Sequence, residues 1–144
     1  MDEINRMMAR LNAAGGLAGT LVAGFDAFEV IRAAARDCED RAPELFAAFL
    51  LAAGAAVEGR NALAGAPSLR GRGEAASPDV APLSADVGEI TDALAALAGV
   101  LASCLREAAG HAADAMDGAA CQDATRAAAH VQQLLGAGDD AHVR

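Results

Sequence analysis

A long apolar stripe with heptad spacing runs through the second half of the chain, from Leu83 to Ala115. At alternating steps of four and three residues its positions are Leu83, Val87, Ile90, Leu94, Leu97, Leu101, Cys104, Ala108, His111 and Ala115. This spacing keeps one side of an α-helix against other helices. Ser84, followed by Asp86 and Glu89, is typical of a helix start, because a hydroxyl caps the first turn and carboxylates complement the helix dipole. The stripe predicts a helix of about eight turns or more, helix C.

Alanine, the strongest helix former, makes up more than a quarter of the 144 residues, and no segment alternates apolar and polar residues as a strand does. The length fits one domain, residues 1–144, and the fold class we predict is all-α. Only four residues are aromatic, all Phe, so the core buries little area per residue. We therefore expect close helix–helix approach and further burial in an oligomer.

Three other segments have helical periodicity: about 17–38 (helix A), 43–63 (helix B) and 119–135 (helix D). Pro43 favours a helix start after a break near Asp40, although one long kinked helix remains an alternative. Asp117 and Gly118 predict the turn between helices C and D. The charged residues of helix A, including Asp26 and Glu29, lie off its apolar stripe and predict a solvated face.

These segments predict a four-helix bundle made of two helical hairpins joined by a long linker. Its parts are a short amphipathic N-terminal helix (1–16), hairpin A–B (17–64), the linker (65–83), hairpin C–D (84–136) and a tail (137–144). The linker is rich in Gly and Pro, and Arg70 and Arg72 make it the most basic part of the chain. Gly136 and Gly138 predict the end of helix D.

Three runs of thirteen residues carry no charge: 13–25, 45–57 and 93–105. Each rises roughly 20 Å as a helix, short of the ~30 Å hydrocarbon layer, so we predict three core helices and no stable membrane span. Helix B, apolar on all sides over its run, is expected to be central in that core. Membrane insertion of the A–B hairpin remains an alternative.

The formal net charge of −9 and the scarcity of basic clusters disfavour nucleic-acid binding. Asp2, Glu3 and the early glycines argue against a secretory signal, and three cysteines, an odd number, fit a reducing compartment, so a cytoplasmic location is expected. Because the helix C stripe is longer than helix D can cover, we predict a protein partner, as a homodimer or higher oligomer.

The residues that carry chemistry are few, and no catalytic motif is present, so we predict a non-enzymatic interaction or scaffold protein without a cofactor. Cys104, Glu107 and His111 share one side of helix C and are the candidates for a metal or small ligand. Glu107 and His111 are four residues apart and occur once, and no cysteine or histidine pair has zinc spacing, so the prediction is no metal site. Cys38 and Cys121, like Cys104, lie on apolar stripes, where thiols act as small apolar groups.

Overall fold

The computed structural model describes residues 2–70 and 85–142, and all regular structure within them is helical. The elements are α1 (Asp2–Ala13), α2 (Gly16–Arg41), a 3₁₀ turn (Pro43–Leu45), α3 (Phe46–Ala64), α4 (Pro67–Arg70), α5 (Val87–His111) and α6 (Ala115–His142). The all-α prediction is confirmed. Helices A, B, C and D of the sequence correspond to α2, α3, α5 and α6, while most of the predicted linker lies outside the described residues.

The four long helices contact one another in a closed order. Helix α2 packs against α3 and α5, and α6 packs against the same two helices, most extensively against α5. Small residues allow close packing between them. At Gly24 of α2, side-chain carbons of Leu63, Leu101 and Leu105 lie 3.2 to 3.5 Å from the position that a Cβ atom would occupy. Close helix–helix approach, expected from the composition, is present here.

The N-terminal helix α1 lies across α2 and α5 and buries Ile4, Met7 and Leu11. It ends at Ala13, just before Gly15 and Gly16, within the predicted segment 1–16. Gly16 has a φ of +72°, a backbone conformation that L side chains adopt only with strain, so this glycine makes the sharp entry into α2 possible.

Proline ends the first long helix rather than kinking it. Helix α2 stops at Arg41, and Pro43 occupies the first turn of the 3₁₀ segment, where its missing N–H costs nothing. The break predicted near Asp40 is confirmed, and the alternative of one continuous kinked helix is wrong.

The start of α5 and the turn that follows it both differ from prediction. Helix α5 begins at Val87, because the Asp86 carboxylate accepts the N–H of Gly88 at 3.0 Å, and the predicted cap Ser84 lies outside the described residues. The turn after α5 lies at residues 112–114 instead of Gly118. The Asp114 carboxylate starts α6 there by accepting the N–H of Met116 at 2.7 Å.

Helix α6 also continues beyond its predicted end. It runs through Gly136 to His142, so the helix end at residue 135 and the tail at 137–144 were wrong as far as the backbone is described. A glycine within a helix costs only about 1 kcal/mol relative to alanine, and Gly136 alone does not stop a helix.

The apolar stripe of α5 is covered by the chain itself, which contradicts the expected surplus. Ile90, Leu94, Leu97, Leu101 and Ala108 are buried. Helix α1 packs on α5 beside α2 and α6, and so takes the place expected for a second molecule. The stripe therefore no longer indicates an oligomer.

Helix α5 is also the one helix among the described residues that is long and apolar enough to cross a membrane, by length and composition alone. Core helices meet the same criterion. The outward side of α5 exposes Glu89, Asp92 and Arg106, a pattern typical of a helix with one side in a core and the other in water.

Candidate functional site

The start of α3 carries a group of large apolar side chains that stay exposed. We call Leu45, Phe46, Leu50 and Leu51 the α3 surface; their exposed fractions are 38%, 45%, 47% and 55%. Phe46 and Leu50 are four residues apart and so lie on the same side of the helix. The sequence predicted a central position for this helix, but one side of the helix is exposed, so that prediction is wrong.

The reason is that α3 has apolar residues on both sides but neighbours on only one. Phe49, Ala52 and Ala56 are fully buried on the side where α2 and α6 pack. No described residue covers the opposite side. Contiguous exposed apolar patches on monomers are small and frequently functional, which makes the α3 surface the strongest candidate for a binding site.

Two exposed carboxylates bracket the α3 surface. Glu44 directly precedes Leu45, and Glu58 follows Leu51 by two helical turns. Within the described part of the chain, neither carboxylate forms an ion pair. The surface is therefore apolar at its centre and has an exposed carboxylate at each end.

The predicted metal candidates do share a site, a cleft of about 370 Å³ where α1, the start of α2 and the end of α5 meet. Cys104, Glu107 and His111 all line it. However, the Cys104 thiol donates to the carbonyl oxygen of Leu11 across 3.8 Å, and Glu107 and His111 are exposed to water. Among the side chains of residues 2–69 and 85–136, no three His, Cys, Asp or Glu are grouped so as to hold a metal ion.

The three cysteines are free thiols in apolar surroundings. Burial raises the pKa of Cys38, Cys104 and Cys121, and the negative charge of Glu107 adds to this effect at Cys104. A raised pKa keeps the sulfur protonated at neutral pH, whereas nucleophilic chemistry requires the thiolate. The cleft therefore holds a thiol that acts as a weak hydrogen-bond donor.

We expect thiol-specific reagents to modify the native protein slowly at neutral pH, with half-buried Cys104 reacting first and Cys38 and Cys121 only after denaturation. A time course of reagent uptake, with the Cys104→Ser variant as control, measures this. Reaction of Cys104 as fast as that of free cysteine would show that the cleft stabilises a thiolate.

Sequence reasoning missed the buried polar contacts that hold the helices. Asp117, predicted as a turn residue, is buried in α6, where its carboxylate accepts hydrogen bonds from the hydroxyl (2.6 Å) and the N–H (3.1 Å) of Ser68. Asp26 and Glu29 are buried as well, contrary to the predicted solvated face. The partners that lie on other helices are distant in sequence, so spacing along one helix gives no signal for those contacts.

Asp26 and Glu29 both bind arginines. Arg10 of α1 lies 2.7 Å from the Asp26 carboxylate, and Glu29 accepts hydrogen bonds from Arg32 on its own helix and from Arg60 on α3. These ion pairs join α2 to its neighbours and belong to the scaffold.

Among protein-family models, curated proteins and solved structures, none matches this chain significantly, so its function is inferred from the geometry alone.

Proposed function

We propose that this chain is a non-enzymatic helical protein that binds a protein partner through the α3 surface. Its scaffold is the four-helix bundle predicted from the sequence, with α2–α3 and α5–α6 as the two hairpins. The closed order of contacts among the four long helices supports this arrangement. A cytoplasmic location, supported by three free thiols, is part of the proposal.

The observation that carries the proposal is the exposure of four large apolar side chains in one place. Burying a leucine or phenylalanine contributes about 1.5–3 kcal/mol, and the fold leaves about half of that unused at each of these positions. A partner that covers the α3 surface gains this free energy. In protein interfaces a few well-packed side chains near the centre supply most of the binding energy.

The test is site-specific photo-cross-linking in cells that produce the full chain. A photoreactive amino acid replaces Leu51 in one variant and Ser103, exposed on α5, in the matched control. We expect discrete protein adducts from position 51 alone, and their loss when Leu50→Glu is added. Absence of adducts, or the same adducts from both positions, would rule out the α3 surface as a docking site.

Self-association is one form of this proposal. The stripe of α5 no longer supports a homodimer, since the chain covers it, but the α3 surface offers a second place where two copies meet. Light scattering at high micromolar concentration tests this form, and a dimer that Leu51→Glu converts to a monomer would support it. A strict monomer would leave only a different protein as the partner.

The binding of a small ligand is the alternative that the cleft between α1, α2 and α5 favours. Its volume of about 370 Å³ is within the range of ligand pockets, and Cys104, Glu107 and His111 would supply its polar contacts. The metal form of this alternative has less support, because Glu107 and His111 face water. Thermal unfolding with added zinc, copper or iron, compared with His111→Ala, tests it.

Membrane insertion of the α2–α3 hairpin is the remaining alternative. The α3 surface favours it, but insertion would also carry Asp26, Glu29 and Arg60 towards the hydrocarbon layer, at a cost of several kcal/mol. Liposome flotation at neutral and acidic pH tests it.

A further inference from the structure

The length and the charge of the α3 surface restrict the partner it can accept. A standard protein interface buries about 800 Å² on each partner, more than four half-exposed side chains provide. A partner that covers the α3 surface therefore extends beyond it along the helix. In doing so it reaches Glu44 at one end and Glu58 at the other.

The partner must then compensate two carboxylates that lie about 20 Å apart along the helix axis. Both are exposed, and no arginine within the described residues is paired with either. Covering them with apolar groups would desolvate a charge without a partner, which costs several kcal/mol. Arginine or lysine at both ends of the partner removes this cost.

A second copy of this chain does not supply those positive charges. If two copies paired antiparallel about Leu51, which lies midway between the two glutamates, Glu44 of one copy would lie level with Glu58 of the other. If they paired in parallel, each glutamate would lie beside its own equivalent. Like charges meet in both orientations, so charge complementarity favours a different protein.

We propose that the occupant of the α3 surface is an amphipathic helix of another protein, with an apolar side about three turns long and a basic residue at each end, about four turns apart. This inference rests on the proposed docking function and names the chemistry of the partner. An exposed apolar side of a helix fits another helix laid along it, whose own apolar residues recur every three to four positions.

The test uses the full chain and synthetic helical peptides. One peptide carries leucines on one side and an arginine near each end, about four turns apart. The second has glutamates in place of the arginines, and both are labelled for fluorescence anisotropy. We expect the arginine peptide to bind about tenfold more tightly than the glutamate peptide, and to weaken as NaCl rises from about 0.05 to about 0.5 M.

Leu51→Glu separates docking from diffuse attraction to an acidic protein. It adds a negative charge, so diffuse attraction would strengthen binding of the arginine peptide, whereas docking on the α3 surface predicts about tenfold weaker binding. Ser103→Glu adds the same charge on α5 and should not weaken binding. Glu58→Gln should reduce the preference for the arginine peptide about threefold, because one of its two ionic contacts is lost.

The outcomes distinguish the two proposals. Equal or tighter binding of the glutamate peptide, or a dimer that Leu51→Glu dissociates, would overturn the basic helix as occupant and leave the α3 surface as a docking site. If Leu51→Glu leaves binding of the arginine peptide unchanged or strengthens it, the basic helix is overturned as the occupant. If, in addition, position 51 gives no cross-linked adducts, the docking function itself is overturned. Binding of neither peptide would also overturn the basic helix.

Discussion

Replacing Gly59 by alanine is expected to lower the stability of the protein by about 3 kcal/mol, which corresponds to a melting temperature about 10 °C lower. Gly59 is buried in α3, directly beneath the ring of Phe28 on α2, and a Cβ atom at this position would overlap three carbons of that ring. Phe28 is fully buried and therefore cannot move into water to make room. The added methyl group must separate α2 from α3 or force Phe28 into a strained rotamer.

Gly54→Ala is the matched control, since Gly54 lies on the exposed side of the same helix with open space around it. Alanine there should stabilise the protein by about 0.5–1 kcal/mol, because it is the better helix former. Thermal unfolding followed by circular dichroism measures both variants. If both glycines respond alike, helix propensity and not the contact with Phe28 decides the result.

A double-mutant cycle locates the cause more sharply. Phe28→Leu alone removes part of a buried ring and should cost about 1–2 kcal/mol. In the Gly59→Ala background the smaller side chain makes room for the new methyl group. The stability lost in the double variant should then be smaller than the sum of the two single losses by at least about 1 kcal/mol. Strictly additive losses would show that the overlap is relieved elsewhere.

The fold class and the break at Pro43 were accessible from the sequence because they depend on local chemistry. Alanine content and heptad spacing predict helices wherever they occur, and proline cannot sit in a helix interior without losing a hydrogen bond. The turn before α6 also depends on local chemistry, but the prediction relied on the wrong residue. Gly118 is a weak turn signal, whereas the Asp114 carboxylate caps the first turn of α6 and so determines where the helix begins.

The α3 surface was not accessible from the sequence, because it depends on how many neighbours a helix acquires. Periodicity shows that residues 45–57 are apolar all round, but not that α2 and α6 cover only the side of Phe49 and Ala52. For the same reason the sequence did not show that the chain itself covers the α5 stripe. That coverage comes from α1, which lies about ninety residues earlier in the chain. The three residues of the cleft were grouped correctly because they lie on one helix.

The contact between Glu29 and Arg60 is expected to make the stability of the protein depend on pH in the acidic range. Burial raises the pKa of the Glu29 carboxyl, but hydrogen bonds and positive charge from Arg60 and Arg32 outweigh burial and hold the pKa below its ordinary value of 4.5. The unfolded carboxyl therefore takes up its proton at a higher pH than the folded one. The stabilisation is fully present above pH 4.5 and is lost as the pH falls through the folded pKa.

Glu29→Gln should consequently cost about 1–2 kcal/mol at neutral pH, and this difference from the unmodified protein should disappear in acid, where both side chains are neutral. Arg32 and Arg60 keep contact with water, which holds the loss well below that of a fully buried pair. Asp123→Asn is the control, because its ion pair with Arg126 is exposed and should cost less than about 0.5 kcal/mol at any pH. Urea unfolding at neutral and acidic pH measures all three proteins. A loss in Glu29→Gln that is the same at both pH values would mean that the glutamate acts through packing, and that the charge between α2 and α3 contributes nothing to holding the hairpin together.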